Sequence, residues 1–188
     1  MPGKRFDARA ATSSRRLPGR FLAMLWLVQC GVSAQQDIQT TLPKDLRIPN
    51  TQKLVFQAHG VGQQIYTCQV VEGKYGWVLK GPEANLLDAN GRVLGRHFAG
   101  PAWEANDGSR VVGKALASVP SPDAHSVAWL RLEAISYEGQ GAMSEVVSIQ
   151  RLNTKGGKPA ENGCGSSNSG AEVRVPYEAD YYFYGKMR

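Results

Sequence analysis

Histidine and cysteine are scarce, three of each in 188 residues. None of their spacings forms a Cys-x-x-Cys, His-x-His or His-Glu-x-x-His pattern. That removes sequence support for a structural zinc site, a dithiol redox centre or a zincin-type metalloenzyme. A Gly-x-Ser-x-Gly elbow, which would expose a serine nucleophile, is missing, as is a dinucleotide fingerprint between strand and helix. Nothing predicts a phosphate-cradling loop, and no cofactor is expected. Charged residues make up only 20% and hydrophobic ones 42%, which excludes a wholly disordered chain and suits one ordinary core rather than two large domains. The 21 glycines and 10 prolines follow no collagen-like period, and no fixed repeat argues for a propeller or solenoid. Asn-x-Ser/Thr sites, heptads and long amphipathic helices are likewise missing.

The net charge of +6 invites a nucleic-acid reading until its distribution is inspected. Residues 1–34 hold Lys4, Arg5, Arg9, Arg15, Arg16 and Arg20 against Asp7, a net of +5, so the rest of the chain carries only +1. A footprint for phosphates belongs on the folded part, and here the cations sit ahead of it. No nucleic-acid partner is expected.

That basic segment is followed by the apolar run Phe21–Val28 and by small residues ending at Val32-Ser33-Ala34. A basic start, a short apolar stretch and a small-residue cut site are the parts of a secretory signal, cleaved after Ala34. The run is too short to span a hydrocarbon core of ~30 Å as a helix, so no transmembrane anchor is expected in the mature chain. Two variants accompany this reading. Ser14-Arg15-Arg16 suggests a twin-arginine route, although Pro18 departs from that pattern, and Leu27-Val28-Gln29-Cys30 suggests a lipoprotein signal anchored through Cys30, although Gln29 does. The expected organisation is a signal at 1–34, an N-terminal extension at 35–52 and a single β-rich domain at 53–188, exported to the periplasm or beyond.

Cleavage leaves Cys68 and Cys164 as an even pair in an oxidising compartment, and a disulfide is predicted. Closing a loop of about 95 residues contributes about 4 to 5 kcal/mol in the chain-entropy model.

After residue 34 the patterns alternate with a period of two. Leu54, Phe56 and Ala58 alternate with Val55, Gln57 and His59, Tyr66, Cys68 and Val70 with Ile65, Thr67 and Gln69, and Ala128, Leu130, Leu132 and Ala134 with Trp129, Arg131 and Glu133. Such alternation sends one set inward and the other outward in a β-strand. Turn signals separate the runs at Glu72-Gly73, Asn90-Gly91, Asn106-Asp107-Gly108, Pro120–Asp123 and Glu138–Gly141. The fold class is all-β, a single-domain antiparallel β-sandwich or small β-barrel. The Gly/Ser/Asn-rich stretch Asn153–Glu172 reads as a long loop, tethered by Cys164. Tyr181–Tyr184 read as a last strand, Tyr182 and Tyr184 on one face, Tyr181 and Phe183 on the other.

The segments Lys53–Gly62, Ile65–Cys68, Trp77–Leu79, Pro82–Ala84, Gly95–Pro101, Trp103-Glu104, Asp107–Ser109, Ile149–Asn153-Thr154 with Gly156-Gly157, Cys164, Val175–Tyr177 and Ala179–Tyr184 together resemble the domain of unknown function 3455 family of secreted proteins. The resemblance covers nearly all of the chain after the leader. It implies an exported single domain with no established activity, and it supplies no catalytic residues.

The segment richest in chemistry is His97–Asp107, with His97, Trp103, Glu104, Asn106 and Asp107 along a Gly/Pro-bent stretch at a sheet end. A sugar site would use Trp103 as a flat platform and Glu104, Asn106 and Asp107 for hydroxyls. The plain alternative packs Trp103 in the core, turns the chain at Asp107-Gly108 and leaves Glu104 in water. A metal would draw on His59, His97, His125, Glu104 and Asp107, but no spacing brings them together, and no metal is expected. Three functions follow: a binding module for a carbohydrate or cell-envelope ligand, a β-scaffold hydrolase using residues 97–107 with Glu104 and Asp107 as paired carboxylates, and a structural or stress-related envelope protein.

Overall fold

The computed structural model describes residues 39–187; the leader, Cys30 and the cleavage point lie outside the described residues. Eight antiparallel strands follow one another: β1 (Gln52–Val71), β2 (Lys74–Leu87), β3 (Val93–Phe98), β4 (Ala102–Ala105), β5 (Arg110–Val119), β6 (Trp129–Glu138), β7 (Val146–Gly156) and β8 (Glu172–Lys186). Each pairs with its neighbour in chain order, and β8 returns to β1 to close a barrel. The closing seam runs from Gln52 opposite Lys186 to Thr67 opposite Glu172. All-β, antiparallel and disulfide-linked, the fold resolves to the barrel rather than the sandwich. Closure satisfies the backbone groups that an open sheet leaves along its two outer strands.

The two predicted runs at 54–58 and 65–70 are parts of the single strand β1, which continues through Gly60 and Gly62. Glu72 and Gly73 supply the two positive φ angles, 51° and 78°, of the turn into β2, as a two-residue hairpin requires. At Asn90-Gly91 the Asp88 carboxylate accepts from the backbone N–H of both Asn90 and Arg92, an Asx turn that fixes the β2–β3 connection.

Inward positions fill the barrel. Trp103, Tyr177, Tyr181, Phe183, Leu86, Val111, Leu132 and Ile149 are all buried there. Small residues make room for the rings. A Cβ on Gly60 would stand 2.8 Å from Cε2 of Tyr181, and one on Gly113 would stand 2.9 Å from Cζ3 of Trp103. Several polar groups inside are paired: the Tyr177 and Tyr181 hydroxyls lie 2.5 Å apart, Tyr66 donates to the Gly157 carbonyl, and Arg151 donates twice to that of Ala128. Burial raises the phenol pKa of Tyr181 well above its ordinary value.

Part of the outside is also covered. Leu42 and Leu46, ahead of β1, pack on Leu152 with Ala117, Val119, Trp129 and Tyr182. Beneath them Gln150 is fully enclosed; its amide donates to the Leu46 carbonyl and its oxygen accepts from Tyr184 and Gln39. The described part of the expected 35–52 extension is thus a strap across β5–β8.

The β7–β8 connection is shorter than the stretch read as a loop, because Asn153–Gly156 belong to β7. Cys164 pairs with Cys68, Cα atoms 5.3 Å apart. Cys68 also donates its N–H to Ala171 and accepts from Gly170, and the Trp77 indole donates to the Asn162 carbonyl, so the loop is held against the β1–β2 ribbon.

Candidate functional site

Strands β3 and β4 carry the segment singled out above, and adjacent residues on a strand point to opposite faces. His97 stands directly opposite Trp103 in the register, with Arg96 opposite Glu104. The first pair faces in and the second faces out.

His97 is 2% exposed and Trp103 1%. Their rings stack, and Tyr181 meets His97 edge-on at 5.1 Å and Trp103 at 5.7 Å. Nδ1 of His97 lies 2.9 Å from the Ala102 carbonyl, so Nδ1 carries the proton of the neutral ring. Burial pushes the His97 pKa down to about 3, the bond to Ala102 opposing only part of that shift. The indole Nε1–H of Trp103 has no hydrogen-bond partner among the described residues. Both rings are core, and neither offers a face to a ligand outside.

Glu104 accepts Nε and Nη2 of Arg96 on one oxygen, at 3.1 and 2.8 Å. The Arg96 guanidinium also lies 5.3 Å from the Phe98 ring, which Arg110 approaches to 4.9 Å. Asn106 donates to the Val93 carbonyl. Asp107 accepts from the Ser109 N–H and hydroxyl and from the Ala142 N–H, tying the β4–β5 turn to the β6–β7 loop. The Ser109 hydroxyl does most to hold its carboxyl below the usual range. With those bonds made, Asp107 serves the loops.

The five residues therefore divide: His97 and Trp103 inside, Glu104 on the outer wall, Asn106 and Asp107 in turns. Arg96 and Glu104 border a feature that the linear reading missed. On the outer face of β1, β2 and β3 a groove of about 720 Å³ is walled by Gln63, Glu83, Asn85, Arg96, Phe98 and Arg174. A neighbouring depression of about 300 Å³ adds Glu104 and Asn106 and shares Asn85 and Arg96 with it. Arg174 donates to Glu83 at 2.6 Å, which holds the Glu83 carboxyl below its ordinary range and raises the guanidinium. Each wall arginine thus has a carboxylate, and the groove pairs its own charges. Arg96 is one residue from His97 and so on the other face of β3; Arg174 arrives only through closure of β8 on β1.

The three histidines do not converge. His59, on the outside of β1, has Nδ1 2.8 Å from an Asp180 oxygen and Nε2 3.6 Å from one of Glu178, while Asn153 donates to the other Asp180 oxygen. His125 sits in the Asp123–Ser126 turn, where its N–H reaches the Asp123 carboxylate. Among the described residues no group of three or more His, Cys, Asp or Glu is placed to hold a metal. Gly108, Gly113 and Lys114 do match the letters Gly-x-x-x-x-Gly-Lys. Ala115 follows the lysine, and Arg110–Val119 is a strand rather than a loop entering a helix, so no phosphate cradle forms. No helix among the described residues is long and apolar enough to cross a membrane.

A family model described as "Protein of unknown function (DUF3455)" matches residues 49–185. No curated protein and no solved structure matches the chain. The chain belongs to the DUF3455 family, and its barrel, disulfide and groove are the basis for the functional reading.

Proposed function

We propose that this protein is an exported binding module that holds a glycan or another hydroxyl-rich envelope component in the outer groove of β1–β4. The observation that supports this best is the composition of the groove: two arginines, two glutamates, two asparagines and a glutamine line it and the depression beside it. Planar side chains that donate and accept in pairs suit vicinal hydroxyls, and charges already matched within the protein favour an uncharged polar ligand over a polyanion. The leader at 1–34 and the Cys68–Cys164 disulfide agree with folding in an oxidising compartment. The hydrolase reading needs Asp107 free beside Glu104, and Asp107 is engaged in its loop.

The test is binding of neutral oligosaccharides, acidic oligosaccharides and cell-wall fragments, followed by calorimetry and chemical-shift mapping. Binding that Arg96→Ala and Asn85→Ala abolish, and that Gln57→Ala leaves intact, supports the groove. Binding indifferent to both substitutions, or none to any member of the panel, overturns it and favours a structural envelope role.

A further inference from the structure

The first half of β2 is a stretch of strand without a second neighbour. β2 is paired with β1 from Lys74 to Leu87, but β3 joins its other side only from Glu83 onward. Lys74–Lys80 therefore presents a row of backbone groups along an open edge. Such edges are normally guarded by proline, bulges or charges along their length. Between Tyr75 and Leu79 this one has neither proline nor charge: the irregularity of the β1–β2 ladder is confined to its end, where Lys80 is left over between Leu79 opposite Tyr66 and Gly81 opposite Ile65, and Tyr75 and Leu79 are 43% and 52% exposed.

The segment reads Lys74-Tyr75-Gly76-Trp77-Val78-Leu79-Lys80. Its character mirrors about Trp77: lysine at each end, a large apolar residue next, then Gly76 or Val78, with the indole in the middle. Two identical strands related by a two-fold axis can pair edge to edge only antiparallel, and residue i of one then meets residue j of the other while j meets i. With the axis at Trp77, Tyr75 faces Leu79 of the second copy and Gly76 faces Val78. Lys74 then lies opposite a Lys80 whose Nζ is 2.5 Å from Glu172 within its own chain. The like charges are thereby offset, and the incoming Lys74 has the Glu172 carboxylate to share. The edge is also held in shape beforehand, since Cys68 lies opposite Trp77 in the ladder and is tied to Cys164.

We infer that Lys74–Lys80 is a self-complementary edge through which two copies of this chain join their sheets about a two-fold axis at Trp77. Sedimentation velocity over a wide concentration range tests it. The expected result is a reversible dimer that the double substitution Tyr75→Lys/Leu79→Lys converts to monomer, with the near-ultraviolet circular dichroism of a folded barrel retained. Register is read separately. On oxidation, a mixture of the exposed-site variants Tyr75→Cys and Leu79→Cys should cross-link to a covalent dimer, and neither variant should do so alone. A protein that stays monomeric at millimolar concentration, a dimer that survives the two lysines, or cross-linking as efficient for each variant alone as for the mixture overturns the inference.

Discussion

The imidazole of His97 lies flat on the indole of Trp103, centroids 4.5 Å apart and planes within 6°, because the two residues face each other across β3 and β4. A protonated imidazole there would be a charge sealed among aromatic rings. The unfolded ring takes up its proton near the ordinary 6.5 and the folded ring only at about 3, so the unfolded state binds more protons across that window. Stability is fully present above pH 6.5 and falls as pH drops toward 3, by up to about 1.4 kcal/mol per pH unit. In urea titrations His97→Gln is expected to flatten the acid limb by about one proton; an unchanged slope would place the acid sensitivity elsewhere.

Trp103 fills the space left by Gly113 and touches His97, Tyr181 and Phe183. Trp103→Ala should cost about 3–5 kcal/mol, the range for deleting a large buried ring. Trp103→Phe should cost less, because it also removes a buried N–H that has no partner among the described residues. Midpoints of urea unfolding decide the order of the two.

The Cys68–Cys164 bond spans 96 residues, and its loss should destabilise the chain by about 4–5 kcal/mol in the loop-entropy model. Replacing both cysteines with alanine, and comparing the result with the reduced wild type, measures it. Near-identical stability with and without the bond would mean that the backbone bonds of Cys68 to Gly170 and Ala171 already hold the loop.

Two glycines should respond in opposite ways. A Cβ on Gly62 would lie 2.1 Å from the Glu83 carbonyl oxygen and 2.4 Å from Cα of Ala84, backbone atoms that cannot step aside, so Gly62→Ala should cost at least about 3 kcal/mol. Gly76 has open space at that position and no positive φ, so Gly76→Ala should change stability by less than about 1 kcal/mol. Thermal unfolding of the pair is the check.

Leu46, in the strap, is fully buried against the barrel although it lies outside the matched family region. Leu46→Ala should destabilise by about 2–5 kcal/mol, and protection of the Gln150 side-chain amide from hydrogen exchange should fall with it.

The strands were legible because alternation is a local property. Tyr181 and Phe183 against Tyr182 and Tyr184 divide in the structure as their spacing predicts, with the first pair fully enclosed in the barrel. The disulfide was legible once Cys30 was set aside with the expected leader, which leaves Cys68 and Cys164 as a pair. The groove was not. Arg174 reaches Glu83 from 91 positions away, and only the β8–β1 seam brings them together. Nor does composition say which face of β3 a residue takes: the same short stretch contributes His97 to the interior and Arg96 to the outside. Trp103 carried both a packing and a platform reading because the letters of a strand do not reveal its facing residue, and His97 proves to be that residue.

The seam has one more consequence. β1 is made first and β8 last, yet Gln57 ends opposite Tyr182 and His59 opposite Asp180. Synthesis can supply seven strands in order without completing the cylinder, and until the final one is delivered the aromatic lining has no lid along its length. Assembly is therefore timed by arrival of β8: a ribosome still holding it keeps the whole barrel open.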